Sequence, residues 1–176
     1  MKRQHILTAS AVLFLAAWQL PGQAGRGQGA RDNTPPVQSL DVATAKKLVA
    51  GAEAAAIAAK AKVGIAVVDA NGDLVYFERM DGATARAVAS SQGKAHAAVL
   101  FGLPTKAVLD SIAAGKPVSA NVTAPPAGGS LQLTVNQGGL PIIKDGKTIG
   151  GIGVGGSESS QDEKFAQAGL DAVTGK

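Results

Sequence analysis

Apolar positions recur along this chain in two periods, one helical and one extended. Val42, Ala45, Val49, Ala52 and Ala56 fall at alternating spacings of three and four, which predicts a helix to about Ala59, capped by Ser39 or Asp41, with one apolar and mostly small face. Residues 63–68 form a β-branched run, Asn71-Gly72 is a hairpin signal, and residues 74–78 read as the returning strand. Beyond the turn at Arg79-Met80-Asp81-Gly82-Ala83, residues 84–101 predict a second helix with Val88, Gln92, His96 and Val99 near one stripe. Pro104 stops it, and Thr105 is placed to cap a short third helix that ends at Gly115. Residues 116–130 hold three prolines and no apolar period, so a long exposed loop is expected. Alternation resumes in a strand at 131–135.

The most informative stretch runs from Gly138 to Gly156. Two apolar runs, 141–143 and 148–154, flank Asp145-Gly146 and predict a tight hairpin. Gly151, Gly153 and Gly155 alternate with Ile152 and Val154, so one face of the second strand is bare backbone. Such a face admits another backbone, a helix or a flat ligand, which makes it a candidate site or a close-packing surface. Gly151, Gly153 and Gly156 also fit G-x-G-x-x-G, yet a dinucleotide fold needs a second parallel strand and an acidic residue about twenty positions on. Neither follows within the 176 residues. Ser160-Gln161-Asp162-Glu163 has the spacing of a capping box and opens a last helix with Phe165, Ala168, Gly169 and Ala172 facing inward. Together these elements predict one α+β domain, an antiparallel sheet of about five strands with helices packed on it.

Composition adds two constraints. Apolar residues make up 45% and charged residues 17%, a globular balance, while aromatic residues are only 3%, too few for the stacking platforms of single-stranded nucleic-acid binders. No cysteine is present, which excludes disulfides, thiolate metal sites and thioether-linked lipids. The first 24 residues read as a signal peptide: Lys2, Arg3 and His5 precede an apolar run to Trp18, and Gly22-Gln23-Ala24 offers small residues to a peptidase. Residues 25–38 follow as a flexible linker, and the domain occupies 39–176. Without the signal, 15 basic residues face 13 acidic ones, a net +2 with no polybasic tract for nucleic acid or an anionic membrane. A periplasmic or secreted location is expected, with no stable membrane span after cleavage.

Several segments, in order, resemble the GlcG/HbpS family of haem-binding or haem-degrading domains. They are Val67-Val68-Asp69 with Asn71-Gly72, Arg79-Met80-Asp81-Gly82-Ala83, Lys94-Ala95 ahead of Phe101 and Pro104-Thr105, Gly138-Gly139-Leu140-Pro141-Ile142, and 150–156 leading to Gln161-Asp162-Glu163. The resemblance spans about residues 39–173. It implies a profilin-like α+β sandwich assembled as a homo-oligomer. Some members are exported and bind haem or iron; others accompany glycolate or corrinoid metabolism. Lys94 and Ala95 belong to the shared pattern but His96 does not, so a ligand role for His96 rests on its chemistry.

That chemistry favours haem over zinc. Beyond the signal segment the chain has one histidine, His96, and one methionine, Met80. Zinc takes three or four protein ligands, whereas haem iron takes one or two axial ones, for which His96, Met80 or Tyr76 are suited. The alternative for His96 is a half-buried helix residue paired with a carbonyl or carboxylate. Arg79 and Asp81 read either as an ion pair closing a turn or as ligand contacts; Lys94 reads as a solvated helix residue or as a partner for a propionate or small carboxylate. The haem reading would use Gly151, Gly153 and Gly155 as a flat wall. Glu158, Asp162 and Glu163 suit a helix N-terminus better than an iron site. No G-x-S-x-G elbow accompanies the serines, which disfavours a hydrolase. A second function class is an enzyme on a small 2-hydroxy or keto acid, with His96 as acid or base and Arg79 or Lys94 holding the carboxylate; a third is a structural subunit without catalysis. The export reading predicts a mature N-terminus at Gly25 or within about three residues of it. Intact-mass measurement of the secreted product checks this, and a secreted product still carrying residues 1–18 would refute it.

Overall fold

The computed structural model describes residues 40–119 and 132–175. The signal segment, the linker at 25–38 and most of the predicted loop at 116–130 lie outside the described residues. Among those described, no helix is long and apolar enough to cross a membrane.

Helix α1 (Val42–Ala58) starts where the Asp41 carboxylate accepts the Thr44 backbone N–H at 2.7 Å and the Thr44 hydroxyl at 2.9 Å. It buries Ala45, Leu48, Val49, Ala52 and Ala56, the predicted face except that Val42, in the first turn, is 50% exposed. Strands β1 (Gly64–Asp69) and β2 (Leu74–Arg79) pair antiparallel. Their loop is tied by Asp69, whose carboxylate accepts the N–H groups of Asn71 and Asp73 at 2.9 Å, with Gly72 at φ +86° completing the turn. Helix α2 (Ala85–Phe101) is capped by Thr84 and ends at Gly102 in the left-handed conformation.

The short helix α3 (Thr105–Ala113) differs from expectation at its start. Pro104 occupies the cap position, and Thr105 does not cap: its hydroxyl donates to the Asn136 carbonyl at 2.9 Å and accepts the Gly139 N–H at 3.0 Å. The hydroxyl thus pins α3 to the next strand instead of to its own first turn. β3 (Gly139–Lys144) and β4 (Lys147–Gly155) form the predicted hairpin, with Asp145 and Gly146 both at positive φ (50° and 73°). Helix α4 (Ser159–Thr174) follows.

Among the described residues the sheet has four strands in the order β2-β1-β4-β3, all antiparallel, and not about five. The missing strand is the one expected at 131–135. The described part, 132–135, runs along α2, where the Thr134 N–H donates to the Gly93 carbonyl at 3.0 Å and the Thr134 side chain lies over Gly93, within 2.5 Å of where a Cβ would stand. Alternation alone did not distinguish a strand from an extended segment lying on a helix.

Alternation along β4 divides the domain into layers. Ile152 and Val154 enter the main core with Ile65, Val67, Leu48 and Phe165, under α1 and α4. α1 and α4 themselves meet through glycines, Gly51 within 2.8 Å of the Ala168 carbonyl and Gly169 within 2.5 Å of the Leu48 carbonyl, measured from an added Cβ. On the other face Gly151, Gly153 and Gly155 receive α2: a Cβ at 151 would stand 2.6 Å from the Ala95 carbonyl, one at 155 would stand 2.9 Å from the Ala87 carbonyl, and one at 153 would collide with the Ser91 carbonyl and the Ala95 N–H. The bare face is therefore a close-packing surface filled by a helix, leaving no room there for a flat ligand.

The same contact rotates α2 relative to its predicted stripe. Its buried residues include Ala87, Ser91, Lys94, Ala95 and Ala98, whereas Val88, Gln92 and His96 are half-buried on its flank. Small side chains suit a glycine backbone at this distance, and of the predicted stripe only Val99, whose side chain lies against Gly151, is buried. Gly153→Ala is expected to destabilise the fold at the upper end of about 1–3 kcal/mol, the usual cost of overpacking. Gly146→Asn, at a turn position with open space around it, is expected to stay within about 0.5 kcal/mol. Urea denaturation midpoints of the two variants check the contrast.

Candidate functional site

Where α2, the end of β4 and the start of α4 meet, a lysine is buried. Lys94 is 2% exposed; its ammonium donates to the Val154 carbonyl at 2.9 Å and to Asp162 Oδ2 at 2.7 Å. The ammonium lies against Gly138, whose φ of +123° and missing Cβ are both required: a Cβ there would lie 2.9 Å from the Lys94 nitrogen and 2.8 Å from the Asp162 Cβ. Asp162 is 1% exposed, and its second oxygen accepts the Ser157 N–H at 3.0 Å. The expected capping box is thus not formed. Glu158 holds the cap position without a side-chain bond, Asp162 reaches back to Ser157, and Glu163 instead accepts from the Gln137 amide at 3.1 Å.

Burial raises the Asp162 carboxyl above its ordinary value of 3.8; the Lys94 ammonium and the N–H groups of Ser157 and Gly156 oppose that shift without cancelling it. The pair forms the floor of a polar cleft of about 290 Å³. Ser90 and Asn136 stand on its walls, and the starts of two helices line its rim, Thr84 and Arg86 at the start of α2 and Ser157 and Ser159 at the start of α4. Helix N-termini carry partial positive charge and unpaired N–H groups, so the rim is electropositive around a neutralised floor.

The remaining candidates are dispersed. His96 is half-buried on the flank of α2, with Nδ1 3.4 Å from the Gln132 carbonyl, and it does not line the cleft that Lys94 lines. Tyr76 and Met80 lie on the opposite side of the sheet, packed against the main core, with the Lys46 ammonium 5.7 Å from the Tyr76 ring centre. Arg79 makes no ion pair with Asp81: its Nε and Nη2 donate to the Ala83 carbonyl at 3.0 and 2.7 Å, which closes the same turn through the backbone. Arg79, Met80 and Asp81 border an open groove of about 500 Å³ between β2 and the end of α1. Among the described residues no three His, Asp or Glu side chains are grouped to hold a metal ion.

Lys94 is therefore not a solvated helix residue, and the small-acid reading that paired it with His96 in one site does not match their positions. Sequence reasoning missed Arg86, Ser90 and Asn136, and it did not connect Lys94 with Asp162 across 68 positions. One signal was present: Lys94 falls in register with Ala87, Ser91 and Ala98, the small-residue face that the glycine strand demands.

An antiparallel sheet covered on both faces by helices, with a buried ion pair under a polar cleft, defines a small α+β domain with a preformed recess. The chain belongs to the family described as haem degrading protein HbpS-like, which it matches over residues 40–171. It is 31% identical over 144 residues, 78% of this chain and 94% of the relative, to an uncharacterised 15.0 kDa protein of Citrobacter freundii from the dhaT-dhaS intergenic region. It is 39% identical over 92 residues to protein GlcG of Escherichia coli, covering 52% of this chain and 63% of GlcG. Among solved structures, it resembles Streptomyces reticuli HbpS in a doubly substituted form (TM-score 0.68, 28% identity, 88% of this chain and 97% of that one). It also resembles PduOC in a haem complex (TM-score 0.65, 25% identity, 76% and 94%).

Removing one partner of a buried pair strands the other's charge. Lys94→Met is expected to cost about 3–5 kcal/mol near neutral pH, and the double variant Lys94→Met/Asp162→Leu to recover most of it. Because the folded carboxyl of Asp162 is raised, the folded state binds the extra proton between 3.8 and the raised value. Its contribution to stability therefore falls as pH rises through that window, and the Lys94→Met penalty shrinks in acid. Urea unfolding at two pH values measures both effects.

Proposed function

We propose that this protein is an exported, homo-oligomeric haem-binding protein of the HbpS-like family. The observation that carries the reading is the family match across nearly all of the described domain, together with the likeness to PduOC in its haem complex. The arrangement of helices on both faces of the sheet supports a profilin-like description. Export rests on the signal-like N-terminus, and self-association on the apolar side chains that α3 and its approach leave exposed, Leu103, Leu109 and Ile112.

The residues present fit haem through a single protein ligand per subunit. His96 is the one imidazole of the described domain; with Nδ1 directed to the Gln132 carbonyl, Nε2 is left to meet iron. Tyr76 and Met80, across the sheet, are not placed to supply a second ligand to the same haem. The polar cleft over Lys94 is too small and too hydrophilic for a porphyrin. When bound, haem supplies redox and oxygen chemistry at its iron. The chain's part is to hold the His96 ring in one tautomer through Gln132 and to fix its helix against β4.

Haemin titration of the mature protein is expected to give a shifted Soret band, lost or displaced in His96→Ala, with circular dichroism and oligomer size unchanged. A spectrum unaffected by that substitution moves the ligand to Tyr76 or Met80. No shift with the unsubstituted protein removes the haem reading, and a monomer in light scattering at high concentration removes the oligomer.

A further inference from the structure

We infer that the cleft over the Lys94–Asp162 pair is a binding site for a small carboxylate bearing an oxygen on the neighbouring carbon, a 2-hydroxy or 2-oxo acid. Three independent observations converge on it. The first is an unspent donor. An ammonium has three N–H groups, and Lys94 gives one to Val154 and one to Asp162, so a third has no acceptor among the described residues. Lys94 is 2% exposed and lines the cleft, where an uncommitted donor held away from bulk water calls for a polar guest.

The second observation is the rim. Arg86 has no hydrogen-bonding or ionic partner among the described residues, and it shares the cleft with Ser159, the first residue of α4. That helix has no side-chain cap, although a glutamate stands at its cap position. Its first N–H groups are therefore available to a carboxylate, which a guanidinium can also grip with two parallel bonds. The third observation is size and polarity. About 290 Å³ lies at the low end for ligand pockets, and the walls offer hydroxyl and amide groups from Ser90 and Asn136 with little apolar surface. Such a recess suits a guest of a few heavy atoms that is polar at both ends.

The charges decide which end goes where. Asp162 balances Lys94 at the floor, so the net positive charge lies at the rim with Arg86 and the helix N-termini; the carboxylate belongs there and the 2-oxygen at the floor, accepting from Lys94. His96 takes no part, so this site and the haem reading stand or fall separately.

Isothermal titration of the mature protein with glycolate, pyruvate, acetate, glycolamide and inorganic phosphate tests the assignment. Glycolate and pyruvate are expected to bind, acetate at least about fivefold more weakly for want of the 2-oxygen, and glycolamide not measurably. Arg86→Gln, an exposed substitution, is expected to weaken glycolate about tenfold or more while leaving the thermal midpoint and the haemin spectrum unchanged. Equal binding of acetate and glycolate, unaltered affinity in Arg86→Gln, or phosphate binding without either acid would each overturn the proposal. So would failure of both acids to bind.

Discussion

The contact on which the rest of this structure depends is that of helix α2 against the glycine side of β4. Backbone meets backbone there: the Ser91 carbonyl and Ala95 N–H occupy the space that a side chain at 153 would fill. Packing this close forces a small face on the helix, Ala87, Ser91, Ala95 and Ala98, and it explains how a domain with so few aromatic residues still closes a core. It also costs strand stability, since glycine gives up more chain entropy than any other residue, and the pairing of β4 with a strand on each side offsets that loss.

The buried ion pair follows from this contact. Once α2 is fixed by its small face, position 94 is carried to the end of β4, and the lysine ammonium reaches Asp162 at the start of α4 beside Gly138. Two buried charges are a poor source of stability, because desolvation offsets most of their attraction. Their effect is one of placement. The pair joins α2, β4 and α4 at one point and holds an ammonium rigid beneath an open cleft, as a site that must not reorganise on binding requires.

Much of this was legible in the sequence, and what was not has a common cause. Helices and hairpins governed by local signals came out where the apolar period, Asn71-Gly72 and Asp145-Gly146 placed them. The alternation of Gly151, Gly153 and Gly155 marked a surface for close approach, but not that a helix and no flat ligand would fill it. Errors arose where distant partners decide. Thr105 has cap chemistry but spends its hydroxyl on Asn136 and Gly139. Residues 132–135 alternate like a strand but lie on Gly93. The Ser160–Glu163 spacing suggests a capping box, yet the helix already begins at Ser159 and Glu163 accepts from Gln137, 26 positions away. In each case a group able to satisfy a local bond is held by a tertiary one, which no short-range pattern encodes.

The rotation of α2 also separates the two ligand chemistries. Lys94 and His96 are two positions apart, and at 3.6 residues per turn that is about 200° around the helix axis. The side chain that faces the cleft and the one that reaches Gln132 therefore point to nearly opposite flanks. No single small molecule bridges them within one subunit. If both sites are filled, each ligand acts on the other only through the seat of α2 on β4, and that seat is too tightly packed to shift by degrees. Coupling would need the helix to leave its glycine groove altogether, at the cost of the contact that closes the fold. For the two ligands proposed above, the architecture thus favours independent sites on one rigid helix over one site with two parts.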